Sequence, residues 1–592
     1  MSIAKRERNL SIDVLKAFAI LAVVLYHLGS DILPFGYLGV DIFFVISGFF
    51  IMAGMQRAYE NGGKYRYWPN LFTRFMRLWP PILVVTLVSL LLGFFLMLPD
   101  DFENLSQSVI ASNVFANNIL ACITTKNYWD VVNLYKPLMH LWYAGVLMQA
   151  YVVIPLLLMP VFHFCKAENH RRICVFMLFA ASLVIYLLPI ASDAQKFYYL
   201  PFRFFEFFAG ALIALLPRRM WRMDHKLQGT CVWILAVALL VLCCARKQIV
   251  SARAMLVATV VCASILMAFF VNGRQYNNGP VRLFAKIGKA SFSIYLWHQV
   301  LVAFMYYSLT QSLTVLWLVG FLAATALVSA ISYFCLEAPL SAIKQPKITR
   351  NILIVSVVLC GVLCTSALFG YIRAGVVRDV PELGISTSNV QKGMHSQYND
   401  RVYQWDKDFE EDSRVKVLVF GDSFGRDFAN ILSESPISEN LQISYIYLPK
   451  ETEELQKYKQ RIEGADLIFF SPSGDFEQLP AWLTQWSSED RIYVVGTKNF
   501  GTSNGLIYSH RFATGYLDTT VTIDASFVSR NQRQKAQYQD HYIDLLELVT
   551  DESGKVRVFT EDGRFLSQDC RHLTQFGAQF FAAKLDLSWI LE

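Results

Sequence analysis

Charge is scarce in this chain: Asp, Glu, Lys and Arg supply only 17% of 592 residues, while hydrophobic residues supply 54%. That balance excludes an ordinary soluble protein, in which about a quarter of the residues are charged. Cysteine is nearly absent from the polar C-terminal part, where Cys570 is the only one of eleven, so that part cannot close an internal disulfide. Cys122 is the only other clearly external cysteine. No pair of Cys or His residues has metal-ligand spacing, and neither a Gly-rich phosphate loop nor an internal repeat is found, so no metal is expected. No cleavable leader is expected, because the first apolar segment carries polar residues and lacks a small-x-small cleavage site. The net charge of +6 is explained by basic loops on one side of a membrane and implies no nucleic-acid partner.

What the chain has in abundance is apolar runs near or above the roughly 20 residues needed to cross a bilayer. They recur at about 10–28, 37–55, 79–98, 138–161, 172–190, 200–216, 229–245, 253–271, 291–308, 314–336 and 352–371, which predicts about eleven membrane helices. Alternate connections hold more than twenty Lys and Arg on one side and about six on the other, which places the N-terminus in the cytoplasm. An odd number of spans then puts the C-terminal region outside, in the periplasm of a two-membrane bacterium. From Val380 onward the pattern turns polar and alternating, predicting a soluble domain of about 200 residues.

Ionisable residues inside a spanning helix cost a few kcal/mol each, so they face partners or a water-filled cavity. The first span carries Asp13, Lys16 and His27, spaced by 3 and 11 residues and so close to one stripe. At the α-helical rise Lys16 and His27 lie about 16 Å apart along the axis, with Lys16 at the cytoplasmic entrance. An imidazole can take and return a proton, as acyl transfer requires. Arg74 and Arg77 stand one turn apart at the cytoplasmic start of the third span, suited to phosphate groups. Arg203 and Glu206 are read as a structural ion pair, and His140 and His298, near helix ends, as residues for which interfacial packing and catalysis weigh equally.

The run from Arg8 through Asp13, Lys16 and His27, followed by Gly36-Tyr37-Leu38-Gly39-Val40-Asp41 to Ser47-Gly48-Phe49, resembles the opening of the acyltransferase-3 membrane family. Arg74-Phe75-Met76-Arg77, His140-Leu141-Trp142, Arg203-Phe204-Phe205-Glu206, Ser291 to His298 and Leu336-Glu337-Ala338-Pro339 extend the resemblance to about residue 340. It implies transfer of an acyl group, most often acetyl from cytoplasmic acetyl-CoA, to sugars of envelope glycans. It assigns His27 as catalytic and Lys16, Arg74 and Arg77 as donor-binding. Two departures stand out: Lys16 replaces the family's usual Arg, losing a two-pronged phosphate grip, and the segment after Trp142 lacks the family's common Glu.

In the soluble region, Val415–Phe420 predicts a strand that runs into Gly421-Asp422-Ser423-Phe424-Gly425 and then a helix over 426–432. Further strands are expected at 441–448, 467–471 and 491–495, with helices over 451–463 and 574–591, giving a parallel sheet covered by helices. Near the end, Asp569-x-x-His572 can supply a base and the group that orients it, which a serine nucleophile needs. Together these blocks resemble the SGNH hydrolase fold, a flavodoxin-like α/β domain, and imply a triad of Ser423, His572 and Asp569. His510 and His541 are competing bases without such an acid. The usual Gly-x-Asn-Asp block is replaced by Ser471-Pro472-Ser473-Gly474-Asp475, so the Ser423 amide and Asn499 are the oxyanion donors considered.

The expected organisation is a membrane domain over 1–340, an additional transmembrane helix over 341–371, an extension over 372–414 and an SGNH-like domain over 415–592. The resemblance implies an inner-membrane O-acetyltransferase. It takes acetyl from acetyl-CoA, binds no permanent cofactor, and modifies a glycan, free or lipid-linked, such as lipopolysaccharide or a related polysaccharide. An acetyl esterase and a non-enzymatic transporter are the rival readings.

Overall fold

The computed structural model describes all residues except 1–8, 30–32, 62, 125–133, 218–223, 246–250, 274–275, 311–312, 344, 389–393 and 449–454. Arg8 and the start of the helix expected over 451–463 therefore lie outside the described residues. The chain divides into two compact units, Met1–Phe95 with Asn104–Tyr371, and Leu96–Glu103 with Ile372–Glu592.

The first unit is helical. Its principal helices are α1 (Leu10–Leu28), α2 (Gly39–Glu60), α3 (Tyr67–Leu96), α4 (Trp142–Phe164), α5 (Glu168–Leu187), α6 (Phe204–Leu215), α7 (His225–Cys244), α8 (Ala252–Asn272), α9 (Gly279–Lys289), α10 (Ser291–Ser308), α11 (Val315–Ser332) and α12 (Pro346–Ile372). Nine of them, all but α6, α9 and α10, form helices long and apolar enough to cross a bilayer among the described residues. The two remaining runs expected as spans are helical but differ in kind. With 12 residues α6 is too short to cross a bilayer at 1.5 Å per residue. Helix α10 carries Ser293, His298 and Gln299 and is buried along most of its length, so neighbouring helices rather than lipid surround it.

Helices in lipid gain little from burying apolar surface against one another, so close backbone approach and polar pairing hold them together. Both devices operate between α2 and α6. Gly48 faces the backbone of Phe207, and Gly210 faces the carbonyl of Val45, so a Cβ at either position would run into the opposing main chain. Beside this crossing, Arg203 Nη1 reaches Asp41 Oδ1 at 2.8 Å and Glu206 Oε1 at 2.9 Å, all three side chains being buried. The expected Arg203–Glu206 pair is thus present, and Asp41 joins it.

The second unit is built on a five-stranded parallel sheet in the order β2-β1-β3-β4-β6. The strands are β1 (Val415–Gly421), β2 (Leu441–Tyr447), β3 (Leu467–Ser471), β4 (Ile492–Val495) and β6 (Tyr542–Ile543); β5 (Thr520–Val521) and β7 (Val556–Arg557) pair separately. A parallel sheet is covered on both faces, which is why β1 is apolar without a break from Val417 to Phe420. Val417 and Val419 pack with Phe428 and Leu432 on one face. Leu418 and Phe420 pack with Ile462 and Leu483 on the other. The extension over 372–414 contributes Val376, Val380, Leu383, Ile385 and Val402 to the first of these cores. Leu98, from the Leu96–Glu103 segment, joins the same core.

The α2–α6 crossing makes a direct prediction. Gly210→Val forces the two backbones apart and costs about 1–3 kcal/mol, read as a lower thermal midpoint of the detergent-purified protein and less protein in the membrane. Gly320→Val, at an α11 position with nothing within 4 Å of a Cβ, leaves both unchanged.

Candidate active site

The order of the parallel sheet reverses at β1, which has β2 on one side and β3 on the other. Ligands of open α/β sheets bind in the crevice at the carboxyl ends of strands at such a point. Strand β1 ends at Gly421, and Ser423 is the first residue of the helix α13 (Ser423–Glu434) that follows. A Cβ on Gly421 would meet the Ser471 carbonyl and the backbone of Gly425, so the turn between strand and helix closes only with glycine there. Asp422 caps the helix through the Phe424 amide at 2.9 Å. The same carboxylate accepts the Ser473 amide at 3.0 Å and the Ser473 hydroxyl, tying the loop after β3 to the loop after β1.

Ser423, His572 and Asp569 meet as expected. His572 Nε2 lies 2.7 Å from Ser423 Oγ, and Nδ1 lies 2.6 Å from Asp569 Oδ2. An ionised carboxylate only accepts, so Nδ1 carries the proton and Nε2 presents its lone pair to the serine hydroxyl. Asp569 Oδ1 also accepts the amides of Arg571 at 3.1 Å and His572 at 2.8 Å. Partial desolvation would raise the Asp569 pKa, but the hydrogen bond from His572 and these amides hold it below the usual carboxylate range.

The loop that carries this pair is pinned from several sides. Cys570 adopts a left-handed backbone with φ 69°, uncommon for a residue with a Cβ. Its carbonyl accepts the Phe500 amide at 2.9 Å, and its thiol donates to Asn504 Oδ1 at 3.1 Å. Burial pushes that thiol's pKa up, so Cys570 packs rather than reacts. The His572 carbonyl accepts both the Ser567 hydroxyl at 2.8 Å and the Gln568 amide at 2.9 Å.

Beneath the triad lies a pair that the sequence reading missed. Asp427, one turn beyond Ser423 in α13, meets Lys498 Nζ at 2.9 Å, each side chain 1% exposed. Asp427 also accepts the Leu573 amide at 3.0 Å, and the Lys498 ammonium sits 3.5 Å from the centre of the Phe424 ring. The pair thereby joins the serine helix to the residue after His572. Desolvation lowers the Lys498 pKa, and the Asp427 charge opposes that shift. The only signal for it was the i, i+4 spacing of Ser423 and Asp427.

The remaining tail candidates bond partners other than the triad side chains. Asn499 turns Oδ1 to the Gly501 amide at 2.9 Å, within its own loop. His510 bonds the Leu506 carbonyl through Nδ1, while His541 bonds the Ile492 carbonyl and stacks on Tyr493. Ser473, in place of the expected Asn block, passes its carbonyl to Arg530 at 2.7 Å, and Arg530 reaches on to Thr497.

In the membrane unit, Lys16, Arg74 and Arg77 converge. All three line a cavity of about 750 Å³ together with Asp13, Arg57, Lys289 and the rings of Tyr143, Tyr151 and Tyr295. Lys16 is steadied by Asp13 at 3.6 Å, and Arg74 stacks over Tyr151 at 4.2 Å. Arg77 meets Glu337 at 3.3 Å, and the other oxygen of Glu337 accepts the Ser293 hydroxyl at 3.0 Å. Gly288 of α9 abuts the Asp13 carbonyl with no room for a Cβ, which sets the α1 wall of the cavity. Arg57 and Lys289 escaped the sequence reading because a basic residue near a helix end is ordinary on the positive side of a membrane.

His27 does not line this cavity. It sits one turn beyond Val23, which does, and its Nδ1 lies 2.9 Å from the Val23 carbonyl. The structure places His140 just before α4, at a helix end as expected, and His298 inside α10 rather than near its end. Both are buried, and they cluster with His27: His298 Nε2 lies 3.3 Å from His27 Nδ1, and the rings of His140 and His298 are 5.4 Å apart. The cluster was not foreseen because apolar runs mark where helices enter lipid but not which of their faces turn inward.

Comparison with known proteins bears on this arrangement. A family model described as "Acyltransferase domain" matches residues 9–334. A putative O-acetyltransferase of Staphylococcus aureus (strain MRSA252) is 23% identical over 536 residues, covering 82% of this chain and 86% of its own length. The O-acetyltransferase OatA of Staphylococcus aureus (strain NCTC 8325 / PS 47) is 27% identical over 368 residues, 56% of each chain. The peptidoglycan O-acetyltransferase OatA of Listeria monocytogenes serovar 1/2a (strain ATCC BAA-679 / EGD-e) is 26% identical over 349 residues, 56% of this chain and 55% of its own. The match to the two OatA proteins thus spans about half their length. No solved structure matches the chain. Because the family model covers more than half of the residues, including the cation-lined cavity and the histidine cluster, the chain belongs to the acyltransferase domain family.

Proposed function

We propose that this protein is a membrane O-acetyltransferase that takes acetyl from acetyl-CoA in the cytoplasm and places it on a hydroxyl of an envelope glycan outside. The observation that carries this reading is the convergence of Lys16, Arg74 and Arg77 on one cavity, in a chain that also holds an assembled Ser423–His572–Asp569 triad. Several cations facing one space are suited to the phosphates of a coenzyme A thioester. Peptidoglycan is the acceptor favoured by the name of the Listeria relative, whereas the sequence reading favoured lipopolysaccharide. Orientation follows the loop charges, with the N-terminus cytoplasmic and the C-terminal unit outside.

The chemistry divides between the two centres. In the membrane unit the thioester C–S bond breaks as an acceptor hydroxyl attacks the acetyl carbon, and His27 moves the hydroxyl proton to the departing sulfur. In the tail His572 Nε2 takes the Ser423 proton as Oγ attacks the acetyl ester of that acceptor hydroxyl, and returns it to the leaving oxygen, which regenerates the acceptor. The Ser423 amide, at the start of α13, is placed to stabilise the oxyanion. A sugar hydroxyl then repeats the circuit and leaves as its acetyl ester. Hydrolysis would need only the tail, so the donor cavity is what favours transfer over an esterase.

Two sets of variants check this. Ser423→Ala and His572→Ala should remove alkali-labile acetate from the envelope glycan while the protein stays in the membrane; Asp569→Asn should lower the rate about 10⁴-fold by fixing the wrong tautomer. Mass spectrometry of peptidoglycan and lipopolysaccharide, before and after mild alkali, identifies the acceptor. Full acetylation with Ser423→Ala would make the tail accessory. Separately, Lys16→Ala and Arg77→Ala should each raise the KM for acetyl-CoA roughly tenfold or more, measured as thiol release by the purified full chain. An unchanged KM in both would remove the cavity from donor binding.

A further inference from the structure

Three histidines that are distant in sequence meet inside the membrane unit, and their hydrogen bonds fix which nitrogen carries each proton. His27 Nδ1 faces the Val23 carbonyl at 2.9 Å. A lone pair there would oppose the carbonyl lone pair, so Nδ1 bears the proton. His298 Nδ1 faces two carbonyls, Tyr295 at 2.8 Å and Ile294 at 3.2 Å, so it too bears the proton. The Nε2 of neutral His298 is therefore a lone-pair acceptor, and it lies 3.3 Å from the protonated Nδ1 of His27. The reverse assignment would set lone pairs against three carbonyl oxygens. With Nδ1 occupied, the lone pair of neutral His27 resides on Nε2.

We propose that His298 is the positioning residue of the membrane centre: its Nε2 shares the His27 Nδ1 proton with the Val23 carbonyl and holds His27 in the tautomer whose Nε2 acts as base. This rests on the reading of His27 as the proton carrier of acetyl transfer. When His27 takes the hydroxyl proton at Nε2 it becomes an imidazolium, and the bond to His298 becomes charge-assisted until the proton passes to sulfur. His298 needs no net charge to do this and gains or loses no proton.

The surroundings hold His298 in place for this task. It is fully buried, and the His140 ring stands nearly perpendicular to it at 75°. Tyr295, whose carbonyl fixes the His298 tautomer, also lines the donor cavity and bonds the His140 carbonyl through its hydroxyl. The wall of the cavity and the orienter of the base are thus one turn of α10.

The test uses the purified full-length protein with acetyl-CoA and a chito-oligosaccharide as probe acceptor, following thiol release. His298→Leu keeps bulk and removes the acceptor; kcat should fall about 10²-fold or more, with the KM for acetyl-CoA within about twofold because His298 does not line the cavity. His298→Gln places an amide oxygen within similar reach and should restore at least roughly a tenth of the wild-type kcat. Adding His298→Leu to His27→Ala should cost nothing further, as for residues acting as a unit. A wild-type kcat in His298→Leu, an equal loss in His298→Gln, or an additional loss in the double variant would each overturn the proposal. His27→Ala alone tests the underlying reading: if it retains activity, that reading fails whatever His298 does, and if it is inactive while His298→Leu is not, only the positioning role fails.

Discussion

Few of the ionisable side chains buried in this protein stand alone, and that constraint shapes both units. Arg203 is the clearest case: a guanidinium without access to water sits between Asp41 and Glu206, its Nε on the Phe197 carbonyl at 2.8 Å and its plane 4.8 Å from the Phe197 ring. Breaking such a pair leaves a charge that neither lipid nor packed side chains can solvate. Because Asp41 starts α2 and Arg203 precedes α6, the ion pair fixes the same crossing that Gly48 and Gly210 bring into contact. The α2 helix so placed contributes Ser47 and Phe50 to the cation-lined cavity.

The cation-lined cavity follows the same rule with a different outcome. Asp13 and Glu337 compensate Lys16 and Arg77, but Arg57, Arg74 and Lys289 add further positive charge to its lining. Cations facing open space attract anions rather than merely neutralising one another. The Arg203 cluster sets two buried acids against one cation; the cavity lined by Lys16, Arg74 and Arg77 carries more cations than acids. Arg74 on the face of Tyr151 shows how such a cation is held without a carboxylate.

Much of this was legible in the sequence where chemistry and local geometry coincide. The strand into Gly421-Asp422-Ser423 and the Asp569-x-x-His572 turn each place their groups within one loop, so spacing alone was informative, and β1 and β3 fall where the apolar alternation put them. Long apolar runs likewise marked the helices. What could not be read were partnerships across the fold. Glu337 lies 260 residues from Arg77, and His298 lies 271 from His27; no local pattern encodes either contact. Lys498 offered no periodicity to set it apart from a surface lysine, and nothing local pairs Asp41 with Arg203, 162 residues away. The 12-residue α6 was read as a span because its apolar character is strong; only the structure shows it ending too soon.

The two histidine centres solve one problem in two dielectrics. In the proposed mechanism each base must keep a proton on Nδ1 so that Nε2 can work. In the tail Asp569 serves, a carboxylate with 47% of its side chain open to solvent and two backbone amides to share its charge. Beside His27 the acceptors are a carbonyl and a neutral imidazole. A carboxylate in that position would pay a desolvation cost of several kcal/mol unless a cation were buried with it, and a fixed negative charge would bind the proton more tightly than a relay can use. The balance of the proposed transfer makes this matter. Acetyl leaves a thioester on one side and reaches a hydroxyl on the other, while the proton displaced from that hydroxyl must end on the sulfur. One proton therefore moves inward for each acetyl moved outward, and His27, oriented by a neutral His298 that exchanges no proton, can take it and give it up without holding net charge in the membrane between turnovers.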